Sequence, residues 1–493
     1  MSYTAPVKDM LFNMQHLAHI EQIAQIPGFE DAGFDTAQAV LEECAKFTEG
    51  VLAPLNFEGD KNPSSWKDGV VTATPGFKEA FRQLTEGGWQ GLQHPQDFGG
   101  QGLPKTIGAA CMEMLNSSNM SFALCPLLTD GAIEALLTAG SDELKAIYLE
   151  KLISGQWTGT MNLTEPQAGS DLALVRTKAD PQPDGTYKIF GTKIFITWGE
   201  HDMAENIVHL VLARLAGAPE GVKGISLFVV PKFLVNKDGS LGARNDAHCV
   251  SIEHKLGIKA SPTAVLQFGD HGGAVGYLVG QENRGLEYMF IMMNAARYAV
   301  GMQGIAISER AYQKAVQYAK DRVQSRPVDG SINASAAIIH HPDVKRMLMT
   351  MRATVEGCRA MATVAAAAFD AAHHHPDAET RKQASVDFLS QELQQRMASG
   401  PVRWNLVVTT AEPGDAIDDP SVPWPESREQ VVAGVLSLDR MQSQEKGACG
   451  QINFDPLILP SGVRGSDDPI LAARSAVYSQ SFNRRERERA SGN

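Results

Sequence analysis

The run Met161-Asn162-Leu163-Thr164-Glu165-Pro166-Gln167-Ala168-Gly169-Ser170-Asp171 divides two kinds of sequence. Before it, up to about Thr158, apolar residues recur at spacings of three and four. AQAVLEECAKFTEGVLAPL (37–55) and AIEALLTAGSDELKAIYLEKLI (132–153) are examples, and this is the period of an amphipathic helix. The Gly- and Pro-rich stretch GWQGLQHPQDFGGQGLP (88–104) reads as a loop between helices. After it come short β-rich runs: TYKIFGTKIFITWG (186–199), NIVHLVLARL (206–215), GISLFVVPKF (224–233) and AVLQFGD (264–270). Each is bounded by Gly, Pro, Asp or Asn, which predicts an antiparallel sheet or barrel. In the run itself, Gly169 permits close backbone approach to a ligand, and Thr164 and Ser170 offer hydroxyls. A structural turn is the other reading of these residues.

From Gly285 the helical period returns. Residues 285–323 predict one long helix and 341–375 a second, with Pro342 in its first turn. Beyond about Leu389 the segments 411–430 and 453–469 are dense in Pro and Asp, and the chain closes on RRERERASGN, a solvated tail. The expected class is α+β, in four units. These are a helical N-terminal domain (1–158), a middle antiparallel β-domain (159–277), a truncated C-terminal helical bundle (278–389) and an irregular or helical tail (390–493).

The net charge of −13 disfavours nucleic acid and anionic membranes as broad partners. Six scattered cysteines form no CxxC pair, as expected of free thiols in a reducing cytoplasm. The N-terminus lacks the charged and apolar regions of a signal peptide, and no stretch reaches the ~18 consecutive apolar residues of a membrane span. The expected localisation is cytoplasmic.

The 161–171 run resembles the signature of the acyl-CoA dehydrogenase family. Four further stretches resemble it in the same order: GWQGLQHPQDFGGQG, Phe195-Ile196-Thr197, Lys255-Leu256-Gly257 with Ser261 and Thr263, and Gly280-Gln281-Glu282-Asn283-Arg284-Gly285-Leu286. The N-terminal region and the HPDVKRML helix are most similar to the large subgroup that includes methylmercaptopropionyl-CoA dehydrogenases. The resemblance implies FAD as cofactor, an acyl-CoA substrate oxidised at its α,β carbons, an electron-transfer acceptor and a homo-oligomer. It also implies that Met161, Leu163, Thr164 and Gly169 line the flavin, with Phe195, Ile196 and Thr197 on its other side. Ser170 would contact acyl-CoA or the cofactor phosphates, and Arg297 would lie near substrate. Arg322 and Gln324 would reach the FAD of a neighbouring subunit; for Arg322, a surface helix end is the alternative. The catalytic Glu of the family belongs to a YEGT-like motif, which this sequence lacks, or precedes the arginine matched by Arg297, where this chain has Ala296. No catalytic residue is therefore expected, and turnover is expected to be impaired.

Residues from about 390 to 489 resemble a different family, the C-terminal half of catalase-related haem peroxidases, through GPVRWNLVV (400–408), AEPGD (411–415), DDPSVPWPESREQVVAG (418–434) and 452–485. Arg474 and Tyr478 fit that family's RxxxY pattern, which implies Tyr478 as haem-iron ligand. Read alone, the pair is an ordinary amphipathic spacing. Haem is the lesser expectation, because the half of that family carrying the distal His and Asn is missing. His340–His341 and His373–His375 read as solvated residues, with a weak metal site as the alternative. A haem peroxidase, or a non-catalytic FAD or acyl-CoA binding hybrid, are the alternatives to a dehydrogenase.

Overall fold

A computed structural model describes residues 3–384 and the backbone of 402–409 and 430–438. The chain divides into two compact units, Met1–Lys382 and Gln383–Asn493.

In the first unit, helices α1 (Val7–His16), α2 (Ile20–Ile23), α3 (Phe34–Phe47), α4 (Ala53–Lys61), α5 (Phe77–Glu86), α6 (Lys105–Ala139) and α7 (Asp142–Ile153) precede the main sheet. A small hairpin, β1 (Ser65–Lys67) with β2 (Val70–Thr72), interrupts this otherwise helical region. The 88–104 loop is anchored to α6: Gln90 Nε2 donates to Asp130 Oδ1 at 2.6 Å, and His94 Nε2 lies 2.9 Å from the same oxygen.

The middle region begins at β3 (Trp157–Asn162) and ends at β12 (Ala274–Val279), slightly wider than the 159–277 read from composition. Its strands are β3, β4 (Lys178–Pro181), β5 (Tyr187–Thr197), β6 (Asn206–Leu215), β7 (Ile225–Pro231), β8 (Phe233–Val235), β9 (Leu241–Arg244), β10 (Ala247–Ile252), β11 (Thr263–Phe268) and β12. The main sheet runs β10-β11-β5-β12-β7-β6-β3, with β4 paired to both β5 and β6. It is mixed rather than purely antiparallel, because β3 and β4 each pair with β6 in parallel. Strand β6 is buried from Asn206 to Ala213 because both of its faces are covered. Val208, Leu210 and Leu212 join the core that holds Leu149 and Leu152 of α7, while Val211 and Ala213 join a second core on the other face. A strand covered on both faces reads as a continuous apolar run, as this one does.

Two long helices complete the first unit, α8 (Gly285–Asp321) and α9 (Pro342–His374), followed by the short α10 (Ala378–Ala384). Pro342 occupies the first turn of α9, as its missing N–H predicts. Gly285 starts α8 against β7 so closely that a Cβ there would lie 2.2 Å from the Ser226 carbonyl carbon. Helix α8 runs antiparallel to α6, with Met292 beside Gly131 and the Ala306 carbonyl accepting from Ser117 Oγ at 3.1 Å. Buried Arg359 of α9 binds Glu113 of α6 at 2.7 Å and Glu309 of α8 at 2.6 Å, so one cation ties three helices. Asp370 of α9 caps α6, accepting from Lys105 N at 2.7 Å and from Thr106 N at 2.8 Å.

Helix α6 is long and apolar enough to cross a membrane by length and composition, which consecutive counting had not indicated. It carries buried Glu113, Asn116 and Asn119 and is packed as a core helix of the first unit. Apolar side chains are exposed on the outer helices, among them Val300, Ile307 and Tyr318 of α8 and Met349 and Met361 of α9.

In the second unit, β13 (Val402–Thr409) and β14 (Gln430–Leu438) form an antiparallel hairpin. This corrects the irregular or helical expectation for the tail. VRWNLVVT and QVVAGVLSL are rich in β-branched residues, the composition of strands. Arg474 and Tyr478 lie outside the described residues.

Candidate functional site

The site is built where β3 runs into the 163–177 loop and that loop meets β5. Thr164 O accepts from Ile194 N at 2.9 Å, which lays the loop along β5. Glu165 and Ala168 exchange backbone hydrogen bonds of 2.8 and 3.0 Å, closing the turn. Beneath it, the buried Glu165 carboxylate gathers donors from Thr177 (Oγ1 at 2.6 Å, N at 3.0 Å), Arg176 N at 2.8 Å and Lys193 Nζ at 2.8 Å. Lys193 is wholly buried in β5, and its ammonium also donates to Leu163 O at 2.9 Å. Burial pushes the Glu165 carboxyl up, but Lys193, Thr177 and Arg176 more than offset this and hold it at about 2. Burial lowers Lys193 to about 8 against the pull of Glu165. Both groups are therefore charged at neutral pH, and the pair clamps the loop to the strand.

Strand β5 does not alternate cleanly here. Opposite β11, the three chain steps from Lys193 to Ile196 are matched by two from Leu266 to Ala264, which is a bulge. Phe195 adopts φ +60° within it and is 56% exposed. Ile196 turns inward and is 2% exposed, and its side chain packs in the core with Val211 and Phe228. Of the three residues expected on one flavin face, Ile196 thus offers its backbone only. Thr197 follows on the outer side, half-buried.

On β3, Met161 is half-buried against Leu127 and Leu128 of α6 and Ala299 of α8. Leu163 packs against the helix-covered core. Thr158, Thr160 and Asn162 alternate with Met161; the two threonines meet buried histidines, and Asn162 Nδ2 donates to Thr160 Oγ1 at 2.8 Å. Thr158 Oγ1 lies 3.0 Å from His201 Nε2, and Thr160 Oγ1 lies 2.7 Å from His209 Nδ1. Burial lowers both imidazoles to about 3, with Lys232 adding to the shift, so they stay neutral. They are structural polar partners with no route to solvent. Gly169 and Ser170 are exposed at the loop tip. Among the described residues, the hydroxyls of Thr164, Ser170 and Thr197 make no hydrogen bond to the protein.

Through the bond from Ile194 N to Thr164 O, the end of β3 and the loop after it, with Met161, Leu163 and Thr164, are laid beside the end of β5 that carries Phe195 and Thr197. Arg322 and Gln324 lie at the opposite end of α8 from Gly285, about 55 Å away by helical rise, where they bond to each other and to the 336–341 turn. Arg297 is exposed, donates to Asn294 Oδ1 at 2.7 Å and stacks over Phe290.

Sequence reasoning missed Glu165 and Lys193 as the clamp. One signal was available. Lys193 has the parity of buried Ile189 on β5, so alternation puts a lysine on the core face, where it needs a carboxylate.

Comparison with known proteins identifies the family. Three family models match: acyl-CoA dehydrogenase N-terminal domain over residues 35–156, middle domain over 160–271 and C-terminal domain over 283–399. A 3-methylmercaptopropionyl-CoA dehydrogenase from Ruegeria pomeroyi is 56% identical over 390 residues, covering 79% of this chain and 66% of that protein. The chain spans 60–66% of the length of the first curated relatives it matches. An acyl-CoA dehydrogenase from Bacillus anthracis, solved in complex with FAD, superposes with TM-score 0.57 at 23% identity, over 73% of this chain and 57% of that one. A catalase-related peroxidase from Synechococcus elongatus is 42% identical over 111 residues, which is 22% of this chain and 32% of that protein. The matched models together span most of the chain, in the order and over the regions that the fold defines, and the chain belongs to the acyl-CoA dehydrogenase family.

Proposed function

We propose that this chain binds FAD along the Met161–Thr164 and Phe195–Thr197 edge, takes an acyl-CoA thioester beside it, and dehydrogenates that thioester slowly for want of a base. The observation that carries the reading is the composition of that edge. Half-exposed Met161 and exposed Phe195 offer apolar contact to a flat ring, and the uncommitted hydroxyls of Thr164, Ser170 and Thr197 suit its polar rim and phosphates. Bound there, the flavin would supply the hydride acceptor for the β carbon of the thioester. The Glu165–Lys193 clamp fixes the loop that presents Thr164, so these donors are positioned before any ligand arrives.

The proton on the α carbon needs a carboxylate within reach. Ala296 stands at one family position for it, one helical turn before Ala299, which packs with the cluster that includes Met161. Glu165, the buried carboxylate of the neighbouring loop, is saturated by its five donors. The identity to the Ruegeria protein makes 3-methylmercaptopropionyl-CoA the first thioester to try, with an external electron-transfer acceptor as oxidant. A homo-oligomer covering the exposed faces of α8 and α9 accords with the same reading.

The test is visible spectroscopy of the purified protein, then anaerobic mixing with 3-methylmercaptopropionyl-CoA. Flavin bands that bleach at least ~100-fold more slowly than in a Glu-bearing family member are expected, and Ala296→Glu should speed bleaching. A colourless protein would overturn the cofactor assignment, and a rate equal to that of a Glu-bearing member would overturn the missing-base argument. The peroxidase reading rests on the match to the Synechococcus protein alone. It requires a haem Soret band that disappears in Tyr478→Phe.

A further inference from the structure

We propose that Asp246, His248 and His271 form a divalent transition-metal site on the outer edge of the β-domain, with zinc as the fitting ion. Asp246 directly precedes β10, His248 lies on β10 itself, and His271 lies in the turn joining β11 to β12. Strand β10 is an edge of the main sheet, so the cluster opens to solvent on one side. It is remote in sequence from the loop and strand that form the flavin edge.

The donor geometry is the first argument. Asp246 Oδ1 lies 3.3 Å from His248 Nε2 and 3.2 Å from His271 Nδ1. All three ligand atoms fall within 4.8 Å of one another. Zinc binds imidazole nitrogen and carboxylate oxygen at about 2.0–2.2 Å, and a tetrahedron of such bonds separates its donors by about 3.3–3.5 Å. The two distances from Asp246 therefore match tetrahedron edges, and a small swing of the exposed His271 ring closes the third.

The second argument is that the carboxylate is held in place by groups that a metal would not displace. The other oxygen of Asp246, Oδ2, accepts from His271 N at 2.7 Å and Gly273 N at 3.1 Å. Asn245 Oδ1 accepts from Asp246 N at 2.9 Å, and Asn245 Nδ2 is anchored to Pro231 O and Val275 O, each at 2.9 Å. Such outer bonds fix ligand orientation in metal sites. The carboxylate is nearly buried, with 11% exposure, whereas His271 is 77% exposed. An ion can thus enter from solvent and keep water in its fourth position. Two imidazoles and one carboxylate form a set that suits zinc better than calcium or magnesium, which prefer all-oxygen cages.

The experiment uses the full chain, stripped with EDTA and titrated with zinc chloride by calorimetry. Cobalt(II) is titrated in parallel and read by visible absorption, which reports tetrahedral coordination. The histidine-rich segment at the end of α9 is a competing source of zinc binding, so His373→Ala/His374→Ala serves as the reference protein. In that reference we expect one equivalent of zinc and a tetrahedral cobalt spectrum. His271→Ala, an exposed turn residue that folding tolerates, should weaken zinc binding at least ~10-fold, the order seen when even the supporting shell of a site is disturbed. His248→Ala/His271→Ala should lose the equivalent altogether. A reference protein that binds no zinc at about 100 µM would overturn the proposal. So would one that binds it equally well after both substitutions.

Discussion

Replacing Lys193 by methionine removes a wholly buried cation and leaves Glu165 buried beside an apolar side chain of similar length. Breaking one side of a buried ion pair costs about 3–5 kcal/mol in general. Here the Glu165 carboxylate keeps Thr177 Oγ1, Thr177 N, Arg176 N and Gln167 Nε2 as donors, so the cost falls at the low end, about 3 kcal/mol. Leu163 O loses its bond to the ammonium as well, and Leu163 adjoins Thr164, where we propose that flavin binds. Stability and flavin retention should therefore fall together. The assay is urea denaturation of Lys193→Met, Glu165→Gln and the double variant, with flavin absorption per protein measured on each. The double variant should recover more than half of the loss, because a neutral amide keeps company with methionine at far smaller desolvation cost than a carboxylate does. If Lys193→Met unfolds within about 0.5 kcal/mol of the parent and keeps its flavin, the pair is not a clamp and the reasoning fails.

Two further outcomes follow from buried charge. His201 and His209 are held near pKa 3, below the ordinary histidine value, so the unfolded chain binds their protons and the folded chain does not. Stability should be fully present above pH about 6.5 and fall below it, by up to about 1.4 kcal/mol per pH unit for each histidine. His201→Gln should halve that slope in denaturation measured from pH 7 to pH 5, and an unchanged slope would refute the assignment. Arg359→Met leaves Glu113 and Glu309 buried and unpaired across three helices, and should cost about 3–5 kcal/mol in chemical denaturation. A loss under 1 kcal/mol would mean that the carboxylates take up protons or water without strain.

Much of the fold was legible because it depends on neighbours in sequence. The period of three and four in 37–55 and 132–153 became helices, Pro342 opened α9, and TYKIFGTKIFIT became β5, because side-chain spacing and backbone restraint act locally. The turn after β3 was legible for the same reason. Its order of Gly, Pro and hydroxyl residues shapes a turn whatever packs around it. What the sequence could not show were arrangements made by distant partners. Strand β3 joins β6 in parallel across some forty residues of other strands, so the sheet is mixed. The bulge between Leu266 and Ala264 sends Ile196 inward, whereas strict alternation from Ile189 and Lys193 would turn it outward. The tail hairpin pairs runs separated by twenty residues of Pro- and Asp-rich chain.

By itself, then, the sequence determined where helices and strands begin and that a polar loop follows β3. Only the tertiary structure decided that Lys193 meets Glu165, that Arg359 gathers Glu113 and Glu309, and that His271 comes back beside Asp246. Local spacing is set by the backbone, which every residue shares with its neighbours. A charge pair or ligand set exists only once packing has brought remote residues together and excluded water from between them.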